Sequence, residues 1–170
     1  MRARFQGTST HKVDGKGRVS IPAEFRRVLD ALDPDRDPGT NPSVIVLYGD
    51  RRNPWFDCYS VKGMEEIDAL IEDMDEGDPD RLTLEEHFYS FAETLRIDDS
   101  GRLVLSKALR DMIGLAGDCV FQARGKTFRL FSPDAPVEVT SRLGAALTEL
   151  PADVPVTALL RANRRREATR

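Results

Sequence analysis

The sequence predicts an α+β chain, mainly β, built from two copies of one unit with helices flanking the strands. Three observations predict it. Asp14-Gly15-Lys16-Gly17-Arg18 recurs 84 positions later as Asp98-Asp99-Ser100-Gly101-Arg102. Around each copy the apolar residues fall first in short strand-like runs and then at helical spacing. With 40% hydrophobic content, 170 residues can bury one moderate core or two small ones.

Aligning the copies pairs Val13 with Ile97, Asp14 with Asp98, Gly17 with Gly101, Arg18 with Arg102, Val19 with Leu103, Ile21 with Leu105 and Arg26 with Arg110. Each copy therefore reads as a strand, a tight turn whose glycine takes a positive φ, a second strand and a helix start. Pro22 suits the first turn of a helix that carries Phe25, Val28, Leu29 and Leu32 on one face. In the second copy Ser106 stands in that place, as the cap of a helix carrying Leu109, Met112 and Ile113. A strand pair closes each copy, over residues 43–48 and 55–60 in the first and 119–123 and 127–131 in the second. The stretch 30–42, rich in Asp and Pro, reads as an exposed loop.

Between the copies two helices are expected. Met64, Ile67, Leu70, Ile71 and Met74 form one stripe; Leu84, Phe88, Phe91 and Leu95 form another, with Thr83 and Glu86 as a capping box and Gly77-Asp78-Pro79 as the break before it. The chain thus divides into a first repeat (8–60), an acidic helical connector (61–91), a second repeat (92–135) and a C-terminal helix with a basic tail (136–170). The arginine-rich end, from Arg161, lacks apolar periodicity and is expected to fray, as an electrostatic arm or a solubilising tail.

The net charge of −4 conceals a segregation. Residues 1–29 carry 7 basic and 2 acidic side chains, residues 30–100 carry 6 and 20, and residues 101–170 carry 12 and 7. Both turns border basic zones. The acidic connector is a solvated face in the plainer reading and a nucleic-acid-repelling face in the sharper one. No stretch approaches the roughly 18 apolar residues of a membrane span, and no apolar signal core follows the N-terminus, so a cytoplasmic chain without membrane contact is expected.

Catalysis finds no support. No nucleophile stands with a base at motif spacing, and no glycine loop for phosphate follows a strand. His87 fits a surface or boundary position on its helix, and Asp73, Asp75, Glu76 and Asp78 lack calcium-loop spacing. Cys58 and Cys119 have no paired spacing and suit buried apolar roles. No metal and no cofactor are expected. Phe5, Phe25, Phe88, Phe91, Phe128 and Phe131 read as core rather than as base-stacking platforms.

The run from Asp14 to Arg26, Asp-x-Lys-Gly-Arg followed by Ile-Pro-Ala-x-Phe-Arg, with a second Asp-x-x-Gly-Arg downstream, resembles the MraZ family of bacterial transcriptional regulators. The resemblance spans nearly the whole chain. It implies two AbrB-like (SpoVT-AbrB) domains in tandem, with pseudo-symmetric, interleaved hairpins and flanking helices. It implies a homo-oligomer in the form of a ring, nucleoid-associated, that binds short direct repeats in double-stranded promoter DNA upstream of the division and cell wall gene cluster. Repression is the expected sign. The 30–42 stretch is longer and more acidic than the family pattern, and Asp99 and Ser100 replace Gly15 and Lys16 in the second turn.

For DNA contact the leading residue is Arg18, since an exposed arginine can serve phosphate or guanine. Lys16, Lys12 and His11 join it, and Arg102 is its weaker counterpart, while Asp14, Gly15, Gly17, Asp98 and Gly101 shape the turns. The competing reading is that Asp14 pairs with Arg18, and Asp98 with Arg102, only to fix the turn. The alternative function is a protein-binding, antitoxin-like AbrB module; an RNA-binding or purely assembly-forming protein is a further rival.

Overall fold

Short β-branched and aromatic runs, each cut by a glycine or proline turn, leave strands of only three to six residues that must find partners elsewhere in the chain. In a computed structural model, which describes residues 2–169, they find them in the opposite repeat. The first repeat supplies β1 (Thr8–Lys12), β2 (Arg18–Ser20), α1 (Ala23–Ala31), β3 (Ser43–Leu47) and β4 (Trp55–Tyr59). The connector supplies α2 (Val61–Glu72) and α3 (Pro79–Glu85). The second repeat supplies β5 (Ala92–Arg96), β6 (Arg102–Val104), α4 (Lys107–Met112), β7 (Asp118–Ala123) and β8 (Thr127–Phe131).

One six-stranded antiparallel sheet runs β1-β7-β8-β4-β3-β5, and β2 pairs with β6 in a separate ribbon. Exchanging each strand for its counterpart in the other repeat turns the sheet order into its own reverse. A pseudo-two-fold axis therefore passes between β4 and β8, where Asp57 faces Arg129, and through the ribbon, where Val19 faces Leu103. The interleaving expected of the repeats is present, because each strand pairs with at least one strand of the other copy.

Alternation along the strands builds the core. Val44, Val46, Phe56, Cys58, Cys119, Phe121, Phe128 and Leu130 face inward against Phe25 and Leu29 of α1, Leu109 of α4, and Val19 and Leu103 of the ribbon. Phe5, Phe25, Phe121 and Phe128 interlock there with ring centroids 4.9 to 6.3 Å apart. On the opposite face, Ile45 and Leu47 are covered by Met64 of α2. Both cysteines are buried and free, as their lack of paired spacing suggested.

Several local expectations change or gain detail. The second connector helix starts at Pro79, not Thr83, because Asp78 caps it by accepting the Asp80 amide at 2.7 Å and Pro79 fits the first helical position. Thr83 lies inside that helix and its hydroxyl donates to the Pro79 carbonyl. After a single π-helical turn, Glu86–Ser90, the chain extends, so Leu95 sits on β5 opposite Val44 rather than on a helix. Cross-repeat strand pairing overrides the apparent helical spacing there. The 30–42 stretch is exposed at its tip, yet Asp33 is buried and accepts the Ser43 amide at 2.9 Å, and Arg36 Nε donates to the Thr40 carbonyl at 2.8 Å.

Residues from Pro136 onward form a second compact unit. It contains α5 (Val137–Thr140), α6 (Leu143–Glu149) and α7 (Ala158–Glu167). The arginine-rich segment is therefore helical as far as Glu167, where fraying was expected; Arg170 lies outside the described residues. Ala, Leu and Arg are strong helix formers, and Arg164, Arg165 and Arg166 in the last turn complement the helix dipole. Among the described residues no helix is long and apolar enough to cross a membrane.

Candidate nucleic-acid interface

Each Asp-x-x-Gly-Arg segment folds into the same hydrogen-bonded loop. Asp14 Oδ1 accepts the amides of Lys16 and Arg18, both at 2.9 Å, while Oδ2 accepts Arg18 Nε at 2.6 Å. The backbone closes the loop, with Gly17 donating to the Asp14 carbonyl and Asp14 donating to the Arg18 carbonyl. In the second copy Asp98 Oδ1 accepts Ser100 and Arg102 amides at 2.9 Å and Oδ2 accepts Arg102 Nε at 2.9 Å. The amide of Arg18 is the main cause that holds the Asp14 carboxyl below its ordinary 3.8, and that of Arg102 does the same for Asp98. Both carboxylates are thus ionised at neutral pH and act as loop templates.

The ribbon then sets the two loops against each other. Arg18 pairs with Val104 and Ser20 with Arg102, while Val19 and Leu103 turn inward, both fully buried. Arg18, Ser20, Arg102 and Val104 consequently share the outer face, with the two arginines in diagonal positions roughly 7–8 Å apart. Backbone bonds lock the arrangement: the Leu105 amide donates to the Gly17 carbonyl at 2.8 Å, and the Ile21 amide donates to the Gly101 carbonyl at 3.0 Å. Each turn arginine spends only its Nε inside its own loop, so its two Nη groups have no hydrogen-bond partner among the described residues. The Asp–Arg pairing of the competing reading is present in both loops, and it engages Nε alone.

Several proteins of similar sequence are named transcriptional regulator MraZ. The transcriptional regulator MraZ of Ruegeria sp. strain TM1040 is 43% identical over 154 residues, covering 90% of this chain and 92% of the relative. That of Ruegeria pomeroyi is 42% identical over 156 residues, with the same coverage. That of Xanthobacter autotrophicus is 38% identical over 131 residues, covering 77% of this chain and 78% of the relative. This chain belongs to the MraZ family. No family model matches it.

In this MraZ-family chain the remaining residues singled out from sequence separate by position. Lys16 is exposed at the tip of the first loop, and Lys12 is exposed at the end of β1. His11 points the other way: its ring packs edge-on against Phe121 at 5.4 Å, and its Nε2 lies 3.0 Å from Ser9 Oγ. Gly17 and Gly101 have φ of 80° and 76°, whereas Gly15 has neither a positive φ nor a close neighbour, in keeping with Asp99 at the matching place.

Two arginines that aligned in the repeats, yet received no role from sequence, complete each turn from the opposite copy. Arg110 of α4 donates from Nε to the Leu105 carbonyl at 3.1 Å and lies against Gly17. Arg26 of α1 lies over Gly101, where an open cleft of about 360 Å³ is lined by Arg26, Arg27, Asp30, Asn41, Asp98 and Asp99. Their matched spacing was the available signal. The register of the ribbon also sets Val104 and Ser20 beside the turn arginines, a neighbourhood that no local sequence window shows.

Proposed function

We propose that this chain is a sequence-specific regulator that binds double-stranded promoter DNA and represses its own division and cell wall gene cluster through short direct repeats upstream of it. The observation that carries the reading is the outer face of the β2–β6 ribbon, which presents Arg18 and Arg102, their Nη groups unpartnered among the described residues, on a scaffold fixed by buried Val19 and Leu103. A two-stranded ribbon fits the major groove, and a guanidinium can bond guanine there in a bidentate manner. Arg18 is the base-reading residue and Lys16 and Lys12 meet phosphates. Arg102 is the second reader. His11 supports β1 from below.

The names of the relatives support regulation of transcription. One ribbon makes few contacts, so strong binding requires several copies acting together. A ring-shaped homo-oligomer supplies them, because each further ribbon meets its repeat at high effective concentration. Nuclease footprinting of the upstream region, paired with a reporter driven by that promoter, tests this. Regularly spaced protection in one orientation, and reporter output that rises when the protein is removed, are expected. Protection at no site, or a reporter indifferent to the protein, would count against it.

A further inference from the structure

We propose that Val104 reads a thymine methyl group in the major groove and thereby gives each DNA site a direction. This inference rests on the ribbon being the DNA-docking face. Val104 is 49% exposed on a strand whose neighbouring residue, Leu103, is completely buried. A single exposed valine is ordinary on a protein surface. What distinguishes this one is its place: it lies directly across the ribbon from Arg18, two residues from Arg102, and it is the one apolar side chain among the four that face outward. The major groove displays the C5 methyl of thymine beside the acceptors of guanine, and an apolar side chain is the group that recognises it.

The pseudo-two-fold relation makes the consequence sharper. The counterpart of Val104 in the first repeat is Ser20, which faces Arg102. One half of the ribbon therefore offers Arg18 with an apolar neighbour, and the other offers Arg102 with a hydroxyl that can accept from or donate to any base. Identical halves would read an inverted repeat, as two-fold symmetric proteins do. Unlike halves read a site with a head and a tail, which is what a direct repeat requires.

The test measures fluorescence anisotropy on the protein's own upstream duplex, with thymidine or with deoxyuridine throughout, for wild type, Val104→Ser and Val104→Thr. Wild type is expected to lose at least threefold in affinity when the methyl groups are removed. Val104→Ser should bind the thymidine duplex as weakly as wild type binds the deoxyuridine one and show no further loss on the latter. Val104→Thr, which keeps one methyl and the β-branched shape, should retain part of the difference. A wild type indifferent to the substitution, or a Val104→Ser variant as sensitive as wild type, would overturn the inference while leaving DNA binding itself intact. A wild type that binds neither duplex would overturn both this inference and the reading beneath it.

Discussion

At Gly17 the backbone takes φ of 80°, and a Cβ there would lie 2.1 Å from the Leu105 carbonyl oxygen, a backbone atom just past β6 that accepts Arg110 Nε. At Gly101 the conflict is with the guanidinium of Arg26, which can swing away, and at Gly15 there is none. Alanine substitutions should therefore rank in that order. Gly17→Ala should exceed the about 1–3 kcal/mol of an unfavourable φ alone, Gly101→Ala should stay within it, and Gly15→Ala should remain within about 0.5 kcal/mol, all read by urea denaturation. The turn glycines were legible in the sequence because the motif repeats; that Gly15 needs no special backbone angle shows in the structure, in keeping with Asp99 at the matching place. The loop carboxylates give a second expectation. Because the Asp14 carboxyl sits below its ordinary value in the fold, its contribution is fully present above pH 3.8 and is lost as pH falls through the lowered value. The Arg18 amide resonance should report a titration midpoint below 3.8; a midpoint at or above it would mean that the loop bonds are not formed in solution.

At the scale of elements, Ser106 does in the second repeat what Pro22 does in the first. Its hydroxyl oxygen accepts the Leu109 amide at 3.2 Å, whereas Pro22 starts α1 without a side-chain cap. Ser106→Ala should destabilise the fold by about 1 kcal/mol, measured as a shift in denaturation midpoint at constant slope, and should leave oligomer size unchanged. Both helices and most strands were legible from local pattern, since Phe25, Leu29 and Leu109 fall at helical spacing and Val44 to Leu47 form an unbroken apolar run. Leu95 was not. Its strand is dictated by five residues of β3 across the sheet, a long-range demand that no local window contains. The same holds for the outward face of the ribbon: Val104 and Ser20 look unremarkable until Arg18 and Arg102 are set beside them.

Up to Ala135 the chain is two copies closed on each other, and the clearest departure from their symmetry lies on the axis. In two identical units the residue at the centre of β4 would face its own copy, whereas here Asp57 faces Arg129, with Nε 3.2 Å from Oδ1 and the guanidinium 4.0 Å above the Trp55 ring. Asp57→Arg should lower the thermal midpoint by setting two cations against each other, and the exchange Asp57→Arg with Arg129→Asp should recover much of the loss. A double variant no better than the single one would show that packing on Trp55, not charge, fixes the axis. The same closure places Arg18 and Arg102 on one outward face, which is the basis of the functional reading. The most direct test is fluorescence anisotropy of wild type, Arg18→Ala and Arg102→Ala on the protein's own upstream duplex and on a scrambled one, with circular dichroism and oligomer size followed for each. Wild type should prefer the upstream duplex; Arg18→Ala should lose that preference by about 1–3 kcal/mol per ribbon while staying folded and assembled, and Arg102→Ala should lose less. Equal binding by all three proteins, or binding by none, would contradict the account and leave the turns as structural devices.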